Sequence, residues 1–285
     1  MARRFLMAGH RVSVLPHRNP EPVRRLVAEG AEQIGDIREA GREADVVFSM
    51  LPDLPQIDEL LFERGLAESM RAGSLFLNMS TVSPRGIKRT AARLAERGID
   101  VLDAPVSGGT AKAAGGTLTV MAGGEREVYE RYLPLLNVVG KRIFHTGAVG
   151  SGQVVKLCNN LLAAMIMAAN AEALTMGVKA GVDSRLLREI ILASTGGNRL
   201  LEDWIPETIL MDRYEPGFAL RLMLKDIRLA AQLAEETGTP LFLGGAAQQV
   251  YRMVAGRNAE ACDLDFSAVS FCYQEAAGVR IAGGP

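Results

Sequence analysis

Between residues 11 and about 145 the chain alternates short apolar, β-branched runs with longer stretches of helical period. Arg11-Val-Ser-Val-Leu15 reads as a strand, and Pro20 to Glu29 as a helix that Gly30 stops. Asp45 to Leu51 is mostly apolar, the pattern of a strand buried on both faces of a parallel sheet. A helix over Leu54 to Met70 leads to a strand over Ser74 to Met79. Pro84 suits a first helical turn, and that helix runs to Arg97 before Gly98. Ile99 to Leu102, Thr117 to Met121 and Arg142 to Phe144 complete the strands, with a helix over Glu125 to Leu136. Alternation with short connections predicts an α/β fold with a doubly wound parallel sheet.

After Gly152 the strand signal stops. Gln153 to Ala180 reads as one helix, apolar almost all round between Leu157 and Ala169, a pattern that requires protein on every side. Further helices fit Ser184 to Ala193, Arg199 to Met211, Leu222 to Thr237, Leu241 to Ala255 and Ser267 to Ala277. The expected division is therefore 1-150 for the α/β domain and 151-285 for an all-helical one. Met1 to Gly9 reads as the tail of an amphipathic helix closed by glycine, without the apolar core of a signal peptide.

Composition narrows the partners. At ~150 residues per domain, 285 residues make one large or two medium domains. Lys plus Arg number 32 against 33 Asp plus Glu, so no basic excess exists to hold nucleic acid. Cys158, Cys262 and Cys272 are too scattered for a disulfide framework or a zinc site and read as small core residues. His10, His17 and His145 share no metal-ligand spacing. The longest purely apolar run, Leu161 to Ala169, is about half of a membrane span. The expectation is a cytoplasmic protein with no metal, no membrane and no nucleic acid.

In parallel α/β sheets ligands bind beyond the carboxyl ends of strands. The loops there are Met50-Leu51-Pro52-Asp53, Ser80-Thr81-Val82-Ser83-Pro84 and Asp103-Ala-Pro-Val-Ser-Gly-Gly109. Ordinary strand-to-helix turns remain an alternative for the first two. Ser107-Gly108-Gly109 offers a hydroxyl and unhindered backbone N–H groups, a concavity suited to a carboxylate, or else a plain glycine turn. The fullest constellation is Gly147-Ala-Val-Gly150-Ser-Gly152-Gln-Val-Val-Lys156-Leu-Cys-Asn159-Asn160. Lys156 and Asn160, four apart, share one helical face. A lysine in such apolar surroundings can exchange protons near neutrality, whereas a snorkelling surface lysine is the bland alternative. On spacing alone, Lys225-Asp226 reads as a solvated helix face.

Taken in order, Asp103-Ala-Pro-Val-Ser-Gly-Gly109, Gly147-x-x-Gly150-x-Gly152-x-x-x-Lys156-x-x-Asn159-Asn160 and Lys225-Asp226 resemble the β-hydroxyacid dehydrogenases. That group includes 3-hydroxyisobutyrate dehydrogenase and tartronate semialdehyde (2-hydroxy-3-oxopropionate) reductase. Met50-Leu51-Pro52 and Met79-Ser80-Thr81 fall where the family carries similar motifs. The resemblance implies a Rossmann-like domain holding NADP or NAD, a helical domain that helps close the site, and a homodimer or homotetramer. It implies interconversion of a small β-hydroxyacid and its semialdehyde. By that likeness Lys156 is the general acid/base and Asn160 orients the reacting oxygen. Ser107, Gly108, Gly109 and Asn159 would bind the substrate, while Leu51, Pro52, Thr81 and Lys225 would line the cofactor.

Two departures stand out. The family opens with a strand and Gly-x-Gly-x-x-Gly before a helix ending much as Met1 to His10 does; neither occurs in these 285 residues. A central strand missing from the sheet leaves two unpaired edges and no helix N-terminus for the pyrophosphate. The readings this opens are a start codon further upstream or an inactive copy, a binding or scaffold protein without catalysis. At the end of the second strand, Pro16-His17-Arg18-Asn19 carries no carboxylate for a ribose 2′-OH, and Arg18 could meet a 2′-phosphate, which favours NADP.

Overall fold

The computed structural model describes residues 1–16, 19–257 and 259–283. They form two compact units, Met1–Lys156 and Leu157–Pro285.

In the first unit, α1 (Ala2–Met7) ends ahead of Gly9, whose φ of +83° is the left-handed turn expected of a glycine stop. Next come β1 (Ser13–Val14), α2 (Glu21–Ala28), β2 (Glu32–Gln33), α3 (Ile37–Glu43) and β3 (Val46–Ser49). Sequence patterning omits β2 and α3, which are short and polar. The helix expected over Leu54 to Met70 is broken. It becomes α4 (Leu54–Asp58), a π-turn over Glu59–Glu63, and α5 (Leu66–Ser69), because Gly65 sits at φ +79°, where no α-helix continues. Then follow β4 (Leu75–Asn78), α6 (Pro84–Ala95), β5 (Asp100–Asp103), β6 (Val106–Ser107), α7 (Gly109–Gly115), β7 (Leu118–Gly123), α8 (Arg126–Leu136) and β8 (Gly140–Gly147).

Strands β3, β4 and β5 run parallel and in step, Ser49 beside Asn78 and Asn78 beside Asp103. The sheet is not wholly parallel. β7 runs against β5 and β6, and β8 then pairs parallel to β7. Between Ser107 and Leu118 the seven-residue α7 is too short for a crossover, so the chain turns back as a hairpin. Period-two alternation places the two faces: Leu75 and Leu77 of β4 join Leu102, Val120 and Leu136, whereas Phe76 joins Ile57, Leu61, Ile87 and Leu94. β1 and β2 form a separate two-stranded parallel sheet, and β3 ends the larger one. Phe5 of α1 reaches β3, its ring 4.5 Å from that of Phe48, a side chain left 37% exposed.

The long helix α9 (Ser151–Lys179) runs across the division between the units. By length and composition it could cross a bilayer, its most apolar 18 residues having a mean hydropathy of 1.6, yet it carries Gln153, Lys156, Asn160, Asn170 and Thr175 buried. Contrary to expectation it is not covered all round: Cys158 and Asn159 are exposed, Leu162 and Met176 largely so. Cys158 is thus no core residue, and Cys262 and Cys272 are only half-buried.

The second unit continues with α10 (Ser184–Leu192), α11 (Leu220–Thr237), α12 (Phe242–Ala255) and α13 (Ser270–Ala277). The helix expected over Arg199 to Met211 is a π-turn at Leu200–Trp204 followed by two 3-10 turns, since Pro206 has no N–H to donate and its ring crowds the carbonyl four residues back. Asp265 holds this segment, accepting from Trp204 Nε1 at 2.9 Å and from the Gly217 and Phe218 amides. Met167, Leu174, Ile205, Leu220, Ile227, Tyr251 and Phe266 form the core of this unit.

Candidate active site

Because β3, β4 and β5 are parallel and in register, the loops that follow them start at one level. After β3, Asp53 caps α4 by accepting the Leu54 amide at 2.8 Å, which fixes the turn at Leu51-Pro52. After β4, the buried Asn78 side chain accepts the Ser80 amide and donates to the Ser80 carbonyl. Ser80 Oγ accepts the Leu51 amide at 2.7 Å. Hence the Leu51-Pro52 turn and the Thr81 loop are one hydrogen-bonded piece. At the end of β3, Ser49 Oγ is buried with no hydrogen-bond partner among the described residues.

The glycine run before α9 brings the helix start against the sheet. Gly147 and Gly150 have φ of +119° and +91°. A Cβ on Gly152 would sit 2.3 Å from the Met121 carbonyl oxygen and 2.7 Å from that of Asp103, so only glycine permits this approach. The fully buried Asp103 carboxylate accepts the Gly150 amide at 2.6 Å and the Gln153 amide at 2.9 Å, satisfying two N-terminal donors. Burial pushes its pKa up to about 7, although those amides pull the other way. Gln153, also fully buried, accepts the Val82 amide at 2.9 Å and donates to the Ser80 carbonyl at 3.0 Å. Motif reading passed over the roles of Asp103 and Gln153; an acidic residue ending a buried strand was the available signal. Lys156, one turn beyond Gln153, is 8% exposed, which removes the snorkelling alternative.

Ser107 ends β6, and Gly108 and Gly109 follow with φ of +139° and +69°. A Cβ at Gly108 would come within 2.9 Å of Lys112 Cβ, so the turn is tight as well as left-handed.

In the second unit Asn160 is 5% exposed and donates from Nδ2 to Asp226 Oδ2 at 2.5 Å. Lys225 Nζ lies 3.1 Å from Asp226 Oδ1. Asp226 is 1% exposed, so the solvated-face reading of Lys225-Asp226 is overturned: this face packs inward and the carboxylate is held by a cation and an amide. Asn159, exposed, donates to Asn160 Oδ1 at 3.0 Å. Lys156 and Asn160 are one turn apart on α9, a rise of about 6 Å.

The first unit fits a dinucleotide in part. The Leu51-Pro52 turn and the Thr81 loop stand at the carboxyl ends of parallel strands, and the unpartnered Ser49 hydroxyl lies beside them. A cavity of about 110 Å³ runs along β3 between Ile37 and Leu51. Arg18 lies outside the described residues.

Comparison with known proteins agrees with this architecture. Residues 1–147 match the NAD binding domain of 6-phosphogluconate dehydrogenase. Residues 150–272 match the NAD-binding family of NADP-dependent 3-hydroxyisobutyrate dehydrogenase. An NAD-dependent L-serine dehydrogenase of Pseudomonas aeruginosa is 39% identical, the match covering 98% of this chain and 95% of that protein. A 3-hydroxyisobutyrate dehydrogenase of the same organism is 38% identical over 96% of this chain and 94% of its own length. The solved structure of Mycobacterium tuberculosis 3-hydroxyisobutyrate dehydrogenase with L-serine superposes with a TM-score of 0.86 at 33% identity, covering 95% of this chain and 93% of that one. The cofactor is NAD or NADP. The chain belongs to the β-hydroxyacid dehydrogenase family and is an NAD(P)-dependent hydroxyacid dehydrogenase.

Proposed function

We propose that the chain interconverts a small β-hydroxyacid and its semialdehyde, of the 3-hydroxyisobutyrate or 2-hydroxy-3-oxopropionate type, with Lys156 as general acid/base. The observation that carries this reading is the pairing of two buried polar side chains on one face of α9: Lys156, and Asn160 with its amide held by Asp226. L-serine and 3-hydroxyisobutyrate, named for the relatives, both place a primary alcohol two carbons from a carboxylate, and that pattern defines the substrate class.

A nicotinamide dinucleotide, when bound, would supply the hydride chemistry. The residues of the chain handle the proton and the position. In the oxidation direction the Lys156 amine takes the alcohol proton; in reduction its ammonium returns one to the developing alkoxide, a contribution typically worth ~10²–10⁴ in rate. Asn160 orients the same oxygen, and its amide stays aimed because Asp226 accepts one of its hydrogens. Ser107 and the Gly108 and Gly109 amides would grip the carboxylate, so that the reacting carbon is fixed, and Asn159 is a further candidate for substrate binding. Leu51, Pro52 and Thr81 would line the dinucleotide; the family likeness gives Lys225 the same task and offers Arg18 to a 2′-phosphate, which favours NADP.

Homodimer or homotetramer formation belongs to the same reading. Its support is the exposed apolar surface of the second unit, where Leu162, Met176, Leu186, Ile190, Phe242 and Leu243 are each more than half open. The test of the activity is direct. Purified protein is assayed with L-serine, 3-hydroxyisobutyrate and D-glycerate, and with NAD and NADP. Dinucleotide reduction with at least one of these acids supports the reading; none with any pair contradicts it.

A further inference from the structure

We propose that Gln153 is a positioning residue that locks the Thr81 loop to the first turns of α9, so that the dinucleotide platform and the Lys156 amine keep one fixed register. The inference rests on the reading given above for Thr81 and Lys156, and it adds a residue that neither motif assigns.

Gln153 is fully buried and uses both ends of its amide on one loop. Its Oε1 accepts from the Val82 amide at 2.9 Å, and its Nε2 donates to the Ser80 carbonyl at 3.0 Å. These two backbone groups flank Thr81, so the side chain spans that residue and dictates how its peptide is presented. The backbone of Gln153 is fixed as well, its amide donating to Asp103 Oδ2 at 2.9 Å. Ser80 in turn accepts the Leu51 amide on its hydroxyl at 2.7 Å. One buried lattice thus joins the Leu51 turn, the Thr81 loop, the end of β5 and the helix start. Lys156 stands three residues beyond Gln153, so any slip of the helix start relative to the loop moves the amine and the platform apart.

Surface complementarity alone does not need this device. An apolar side chain of equal length could fill the same volume, and buried amides are costly unless fully paired. Pairing of both ends of the Gln153 amide across a sequence separation of 71 to 73 residues is the mark of a side chain that fixes geometry.

The experiment uses the full chain and two readouts: equilibrium titration of NADPH or NADH by nicotinamide fluorescence, and steady-state kinetics with the acid that proves active. Gln153→Met keeps length and volume and removes both hydrogen bonds. It is expected to raise the dinucleotide Kd at least tenfold and lower kcat at least tenfold, with KM for the acid changed less than threefold. Combined with Thr81→Ala, its effect on Kd should be no larger than the greater single effect, because both act through one loop. A folded Gln153→Met with Kd and kcat within twofold of wild type overturns the proposal, as do losses that multiply in the double variant. Should Gln153→Met not fold, Gln153→Glu carries the same measurements and the same thresholds, since it keeps the acceptor for Val82 and loses the donor for Ser80. Lys156→Ala run in parallel separates the two levels. If it leaves turnover intact, the acid/base reading fails; if it abolishes turnover while Gln153→Met is silent, only the positioning role fails. If Thr81→Ala leaves Kd unchanged, the platform reading falls and this proposal with it.

Discussion

Asn160 and Asp226, 66 residues apart in sequence, meet inside the second unit with Nδ2 2.5 Å from Oδ2, and both side chains are buried. The bond leaves the Asn160 amide one orientation. Asp226→Ala should release it and remove the Lys225 ion pair, at a cost of about 1–3 kcal/mol from the unmade buried bonds. The expected signs are a lowered Tm and a turnover at least tenfold down. Unchanged kcat in a folded Asp226→Ala would detach Asn160 from the chemistry.

Gly152 sits where a Cβ would lie 2.3 Å from the Met121 carbonyl oxygen. Gly152→Ala must push α9 from the sheet, with overpacking typically costing about 1–3 kcal/mol. Gly245, with nothing within 4 Å of an added Cβ, is the contrast. Replacing it in α12 should stabilise by about 0.5–1 kcal/mol. Denaturant unfolding of both variants checks the pair, and equal effects would refute the close-approach argument.

Asp103 makes stability depend on pH. Burial raises its folded pKa from 3.8 to about 7, so between those values the folded chain binds more protons than the unfolded one. Stability from this group is present below about pH 4 and is lost as pH rises towards about 7. Asp103→Asn cannot ionise and removes that slope. Melting both proteins across this range should show the wild-type advantage shrinking with rising pH; a constant difference would mean the carboxyl does not titrate there.

The exposed apolar side chains of α12 predict assembly. Phe242 and Leu243 are 85% and 75% exposed. Phe242→Glu should lower the apparent mass in analytical ultracentrifugation by at least half while leaving far-UV circular dichroism unchanged. A wild-type chain that sediments as a monomer would contradict the proposed oligomer.

Much of this architecture was legible in the sequence, and the failures have physical causes. Glycine stops at Gly9, Gly30 and Gly98 all proved left-handed, because that conformation is close to a local property of the chain. β4 and β5 were legible because strands buried on both faces read as plain apolar runs; β3 reads the same way, yet it is an edge strand with Phe48 exposed. β2, with its Glu32 and Gln33 both exposed, has no such signature and depends on pairing with β1. The motif around Lys156 was legible, yet its glycines act mainly by letting α9 approach Asp103 and Met121, which spacing cannot show. Lys225-Asp226 misled because charge alone suggests water; only tertiary packing reveals a partner at Asn160. Gln153 was invisible for the same reason, its partners lying some seventy residues away.

The central claim is proton transfer by Lys156, and it is tested most directly by the Lys156→Ala variant, reading turnover and dinucleotide affinity on the same protein. The account predicts turnover down at least a hundredfold, with the NADPH or NADH Kd within threefold of wild type. Turnover close to wild type with the lysine gone would contradict it.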